Sequence, residues 1–154
     1  MQFMWHWLPI IVLCLLACAT PARADDCETK AIEIAEKIGL DAGQRSPSGS
    51  IALSARNEGD DDYGAYLHCK GASGTTLRFL SPPSPGQKWF QFVGRSGAIL
   101  TGVKASSIAI GAQNCVENAR LRKTAAFRSP GSAFQMQCTV SRNDDRAELS
   151  LAGR

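Results

Sequence analysis

The chain has 154 residues, is 44% hydrophobic and 20% charged, and carries a formal net charge of +3 at pH 7. That composition excludes a disordered or collagen-like chain and fits a single domain with one core. No pair among its six cysteines has the Cys-x-x-Cys spacing of a zinc ribbon or a thioredoxin-like centre, and there is no internal repeat or low-complexity tract.

The amino-terminal segment, residues 1–24, reads as a secretory signal peptide. The apolar run Leu8 to Thr20 is shorter than the roughly 20 residues needed to span a bilayer, and Ala22-Arg23-Ala24 has the small-x-small pattern of a cleavage site. Only His6 and the amino terminus supply positive charge ahead of the run. A second possible cut, at Leu15-Leu16-Ala17-Cys18, would instead leave a lipoprotein tethered to the membrane through Cys18. Either way, residues 25–154 are expected to form one exported domain, in the periplasm or outside the cell. In such an oxidising compartment the remaining Cys27, Cys69, Cys115 and Cys138 are expected to form two disulfides. Four cysteines allow three connectivities; Cys27–Cys69 with Cys115–Cys138 is preferred because each bridge then ties a helix to the strand that follows it.

Asp25 and Glu28 suit the start of a first helix over 27–38, in which Ala31, Ile34, Ala35 and Ile38 make one apolar stripe. Gly39 supplies a left-handed stop, and Leu40 can fold back on the stripe. Residues 41–50, rich in Gly and Ser, read as a loop, followed by a strand with Ile51, Leu53 and Ala55 inward. After the charged turn 57–64, residues 65–70 and 75–80 read as an antiparallel hairpin with Leu67, Cys69, Leu77 and Phe79 inward. The Pro-rich stretch 81–86 breaks the chain into two halves.

Trp89, Phe92, Val93, Ser96 and Leu100 fall at helical spacing, as do Ile108, Ala112, Cys115 and Ala119, so two helices are expected over 87–100 and 105–121, hinged at Thr101-Gly102. Alternating Ile99, Thr101 and Val103 leave a strand open as the alternative for residues 97–112, and Gly94, Gly97 and Gly111 each weaken a helix by about 1 kcal/mol. Residues 133–141 alternate Phe134, Met136, Cys138 and Val140 with polar neighbours, and a closing strand follows through Ala147, Leu149 and Leu151. The expected fold is α+β: an antiparallel sheet of about five strands with about three helices packed on one face and two disulfides.

Charge is divided along the chain, with a net −6 over residues 25–62 and +8 over 63–154. This marks either a basic surface for an anionic partner or an acidic lobe folded against a basic one. Arg120, Arg122, Lys123 and Arg128 form a basic run at the end of the last expected helix, where cations complement the carbonyl end and could also dock an anionic envelope polymer, lipid head group or acidic protein. Nucleic acid is disfavoured by compartment and by the absence of interleaved stacking aromatics. Tyr66, His68 and Lys70 share a strand face opposite Leu67 and Cys69 and form a second candidate surface. The acidic turn 57–62 offers oxygen ligands but lacks EF-hand spacing, so no metal or cofactor is expected. Trp89, Phe90 and Phe92 read as core, with Phe90, which points away from the Trp89–Val93 stripe, the one member left open to exposure.

No Gly-x-Ser-x-Gly, His-Glu-x-x-His or phosphate-loop motif is present. The expected function is therefore that of a non-catalytic exported domain that binds an envelope component or another protein. A small secreted hydrolase with carboxylates that carry no motif is the alternative. The segment Tyr66-Leu67-His68-Cys69-Lys70-Gly71, followed by Thr75-Thr76-Leu77-Arg78-Phe79, resembles the Tyr-x-x-Cys strand and its successor in periplasmic C-type lysozyme inhibitors. That resemblance implies lysozyme inhibition by a small β-barrel, whereas the helices expected here point to an α+β fold.

Overall fold

A computed structural model describes residues 26–55, 64–69 and 74–153. In chain order the elements are α1 (Asp26–Ile38), β1 (Leu40–Arg45), β2 (Ser50–Ala55), β3 (Gly64–Cys69), β4 (Thr75–Pro83), α2 (Gln87–Thr101), α3 (Ala105–Arg122), β5 (Thr124–Arg128), β6 (Phe134–Val140) and β7 (Arg146–Gly153), with one 3-10 turn at Pro130–Ser132 before β6. All seven strands join a single antiparallel sheet in the order β1-β2-β3-β4-β7-β6-β5. Among the described residues the protein is thus α+β, with an antiparallel sheet and three helices, but the sheet has seven strands rather than about five. The signal segment, the acidic turn 57–62 and Lys70 lie outside the described residues.

The helices cover one face. α1 lies over β1 to β3, α2 over β4 and β7, and α3 over β5 and β6. The apolar alternation of the strands decides which face this is. Ile51, Leu53, Ala65, Leu67, Leu77, Phe79, Met136, Cys138, Leu149 and Leu151 all turn inward and merge with Ile34, Trp89, Val93, Ile108 and Val116 of the helices in one core. α1 buries the expected stripe of Ala31, Ile34 and Ala35, and Gly39 takes φ +75° to end it. Residues 97–112 are helical apart from the break at 102–104, where Gly102, at φ 72°, caps α2 by donating its N–H to the Ala98 carbonyl.

Four local expectations are corrected. Residues 41–45, read as loop, belong to β1, an edge strand in which only Leu40 is buried and whose register shifts between Ala42 and Arg45. Residues 124–128, read as trailing the last helix, form the opposite edge, β5. Phe90 is buried and meets Trp89 edge-to-face, with ring centroids 5.1 Å apart.

The fourth concerns the proline stretch, which does not divide the domain: β4 continues through Pro83 and pairs with β7, joining the two halves. Prolines in a central strand remove ladder donors. The strand tolerates them through a register shift between Leu80 and Pro83, where buried Ser81 substitutes its hydroxyl, accepting from Ala147 N at 2.7 Å and donating to Pro82 O at 2.7 Å.

Both disulfides form as preferred. Cys27 of α1 bridges to Cys69 of β3, and Cys115 of α3 to Cys138 of β6, with Cα separations of 5.7 and 5.9 Å. Two such bridges are the mark of a compartment that is not reducing. Among the described residues no helix is long and apolar enough to cross a membrane.

Candidate functional site

The basic run is split by the end of α3. Arg120 and Arg122 close the helix, Lys123 turns the chain at φ 72°, and Arg128 ends β5 on the sheet edge. Arg120 and Lys123 line one cleft, whereas Arg122 lines another beside β5. In the first cleft they meet residues that the sequence places far away: Ser84 and Pro85 from the β4–α2 connection, and Ser141, Arg142 and Asp145 from the β6–β7 turn. The sheet order β4-β7-β6 brings these segments together. The cleft volume is about 590 Å³, within the range of small-ligand sites.

Asp145 is the hub of this cleft. Its carboxylate accepts two hydrogen bonds from the Arg120 guanidinium, from Nε at 3.2 Å and from a terminal nitrogen at 3.1 Å, and a third from Ser84 Oγ at 2.9 Å. The Ser84 N–H donates to the Asp145 carbonyl at 3.1 Å. The Ser84 hydroxyl, and after it Arg120, hold the Asp145 carboxyl below the ordinary carboxylate range, so it stays ionised at neutral pH. Among the described residues, Lys123 and Arg142 have no carboxylate partner. Three cations and one carboxylate therefore line the cleft, leaving a local excess of two positive charges.

Three non-glycine residues among those described have positive φ, and all three line this cleft: Ser84 at 51°, Lys123 at 72° and Asp145 at 50°. A left-handed conformation costs about 1 to 3 kcal/mol at a non-glycine residue and persists only where its surroundings enforce it. The three turns are held in this conformation by one another, through the Ser84–Asp145–Arg120 bonds and the bond from Val140 N–H to the Lys123 carbonyl at 3.0 Å. α2 begins beside the cleft. Its N-cap is Gly86, which has no side chain to bond the first amides, and its first turn holds no acidic residue.

The second candidate surface lies on the sheet face away from the helices. Tyr66 pairs with Arg78 across the ladder and is 39% exposed; His68 pairs with Thr76 and Ser50 and is half-buried. Arg78 is ion-paired with Glu148 at 2.6 Å on the same face. Next to them, Thr76, Gln135, Gln137 and Ser150 line a shallow cavity of about 250 Å³. Among the described residues this face is largely polar, with Arg78 and Glu148 paired to each other.

His68 has a partner that sequence reading did not find. Ser50 Oγ is 2.7 Å from His68 Nδ1, and a hydroxyl chain continues through Ser48 to Ser46, at 3.4 and 2.8 Å. A serine beside a histidine is the pairing that nucleophilic catalysis uses. Here the amides that could receive an oxyanion are occupied: Ser50 N–H bonds Ser46 Oγ at 3.1 Å, and Gly49 N–H bonds the Ser46 carbonyl at 2.9 Å. The chain of hydroxyls thus fastens the β1–β2 turn to β3. Ser50→Ala is expected to remove the Ser50–His68 bond and lower stability by about 1 kcal/mol, read as a shift in the urea midpoint at constant slope.

Among the described residues, no group of three or more His, Cys, Asp or Glu side chains is placed to hold a metal ion. The chain matches no family model, no curated protein and no solved structure. The sheet is open between its edge strands β1 and β5 and carries three helices, unlike the barrel implied by the resemblance to lysozyme inhibitors.

Proposed function

We propose that this chain is an exported, non-catalytic binding domain, periplasmic in location, that holds an anionic group of an envelope component or partner protein in the cleft between α3 and the β6–β7 turn. The observation that carries the reading is the pair Lys123 and Arg142, two cations in one cleft without carboxylate partners among the described residues, beside an Arg120 already fixed by Asp145. Cations at a helix C-terminus complement the dipole. That accounts for Arg120 and Arg122 in the last turn of α3, but not for Arg142, which comes from the β6–β7 turn. The two disulfides suit the oxidising compartment that the leader sequence implies.

Binding to vesicles rich in an anionic phospholipid, measured by cosedimentation, tests the reading. The double variant Lys123→Gln/Arg142→Gln is expected to bind about thirtyfold more weakly than the parent, on the basis of about 1 kcal/mol for each of the two cations at an anionic surface. Arg122→Gln/Arg128→Gln removes the same charge outside the cleft and is expected to bind within about twofold of the parent. Equal binding by the cleft variant and the parent would overturn the proposal.

A further inference from the structure

We infer that the cleft selects a phosphomonoester, a doubly charged oxyanion, over singly charged carboxylates and phosphodiesters. The inference rests on the reading above, that the cleft binds anions, and adds the chemical class of the anion. The argument starts from Asp145, which already gives the cleft one carboxylate. That carboxylate uses the Arg120 fork and the Ser84 hydroxyl, and it leaves Lys123 and Arg142 uncompensated. A second carboxylate or a phosphodiester would bring one negative charge to two remaining cations. A phosphomonoester brings between about −1.5 and −2 at pH 7, together with three strong acceptor oxygens.

The donors match that demand. Lys123 offers three ammonium protons and Arg142 a planar fork that can hold two phosphate oxygens at once. The start of α2, whose N-cap Gly86 directly follows Pro85 on the cleft wall and offers no side-chain cap, adds positive potential from the same side. Opposing it is the C-terminal end of α3. One of that end's carbonyls, Lys123 O, is occupied by Val140 N–H, which reduces the repulsion an anion would meet there. The cleft is also larger than one phosphate, so the group carrying the ester has room against Pro85 and Val140.

The test is a titration of the residue 25–154 protein, disulfides intact, with phenyl phosphate, dimethyl phosphate and benzoate, followed by amide chemical shifts. Phenyl phosphate is expected to bind at least about tenfold more tightly than the other two, with the largest shifts at Lys123, Ser141 and Arg142. Its affinity should fall as pH drops through about 6, where the second phosphate ionisation is lost, while Asp145 stays ionised. Arg142→Gln and Lys123→Gln, each exposed and checked by an unchanged melting temperature, should each abolish the preference.

Vesicles containing phosphatidic acid or phosphatidylglycerol, matched in total charge, separate a lipid source from a soluble one. Tighter binding to phosphatidic acid places the monoester on a membrane lipid; phenyl phosphate binding without that preference places it on a soluble ligand. Equal affinity for phosphomonoester and phosphodiester, with both lost in the variants, overturns this inference and leaves the anion-binding proposal standing. No binding of any anion overturns both.

Discussion

Replacing Cys27 and Cys69 together by alanine is expected to lower the unfolding free energy by about 4 kcal/mol, the loop-entropy value for a closed loop of some 40 residues. The bridge spans a sequence separation of 42 and encloses all of β1 and β2. Without it, α1 is held by the stripe Ala31, Ile34 and Ala35 through its contacts with β1 to β3 and with α2. Ala31 and Ala35 bury little area each, so the helix depends on the covalent tie more than a leucine-rich helix would. A domain of this size has a total stability of about 5 to 15 kcal/mol, so the loss removes a large part of it. Equilibrium urea unfolding of the variant against the parent measures the effect. A loss under about 1 kcal/mol would show that α1 docks by packing alone and that the entropic account fails for this loop.

The parts of the fold legible in the sequence were those in which the hydrophobic pattern was long and clean. β6 alternates burial at every position from Phe134 to Val140, and α1, α2 and α3 carry stripes at three- and four-residue spacing. The two missed strands are both sheet edges. β1, with the sequence LDAGQR, buries only Leu40, and β5, with TAAFR, is five residues long with one large apolar side chain. Edge strands expose one side of the ladder and often carry charges and irregularities, so they lack the alternation by which a strand is recognised. β5 also follows α3 with only Lys123 between them, and nothing in its composition marks the switch.

The cleft was half legible for the same reason. Adjacency in sequence grouped Arg120 and Lys123 with Arg122 and Arg128, but the left-handed turn at Lys123 sends the chain from helix into strand and separates them. Ser84, Arg142 and Asp145 enter through the pairing order β4-β7-β6, and Ser50 reaches His68 through the register of β2 on β3. No local motif reports contacts made by register between distant strands. The aromatic cluster shows the converse case: Phe90 was left open to exposure because α2 was read as a one-sided stripe. The helix instead buries Trp89, Phe90, Phe92 and Val93, which at about 100° per residue span an arc of about 160°.

Gly94→Ala tests a feature that sequence reading took as a weakness. By intrinsic propensity alone, alanine would stabilise the middle of α2 by about 1 kcal/mol. The expected sign is the opposite, because a methyl group built at Gly94 lies 2.5 Å from the backbone carbonyl oxygen of Ala105 and 3.1 Å from Ala109 Cβ. A backbone atom has no rotamer with which to move away, so α3 must shift as a body off α2, disturbing the packing of Val93 and Ile108 in the core beneath. The net loss is expected to be about 2 to 3 kcal/mol, in the upper range for overpacking. Gly97→Ala meets the Leu151 Cδ2 atom at 2.5 Å and Gly111→Ala meets the Phe127 ring at 2.9 Å; both contacts are with side chains that can rotate, so smaller losses are expected there. Gly86→Ala, with open space around it and φ −95°, is expected to stay within about 1 kcal/mol of the parent. Thermal unfolding of the four variants should therefore rank Gly94 as the most damaging and Gly86 as the least. The reverse order, with Gly94→Ala stabilising, would mean that helix propensity rather than close approach governs the α2–α3 pair.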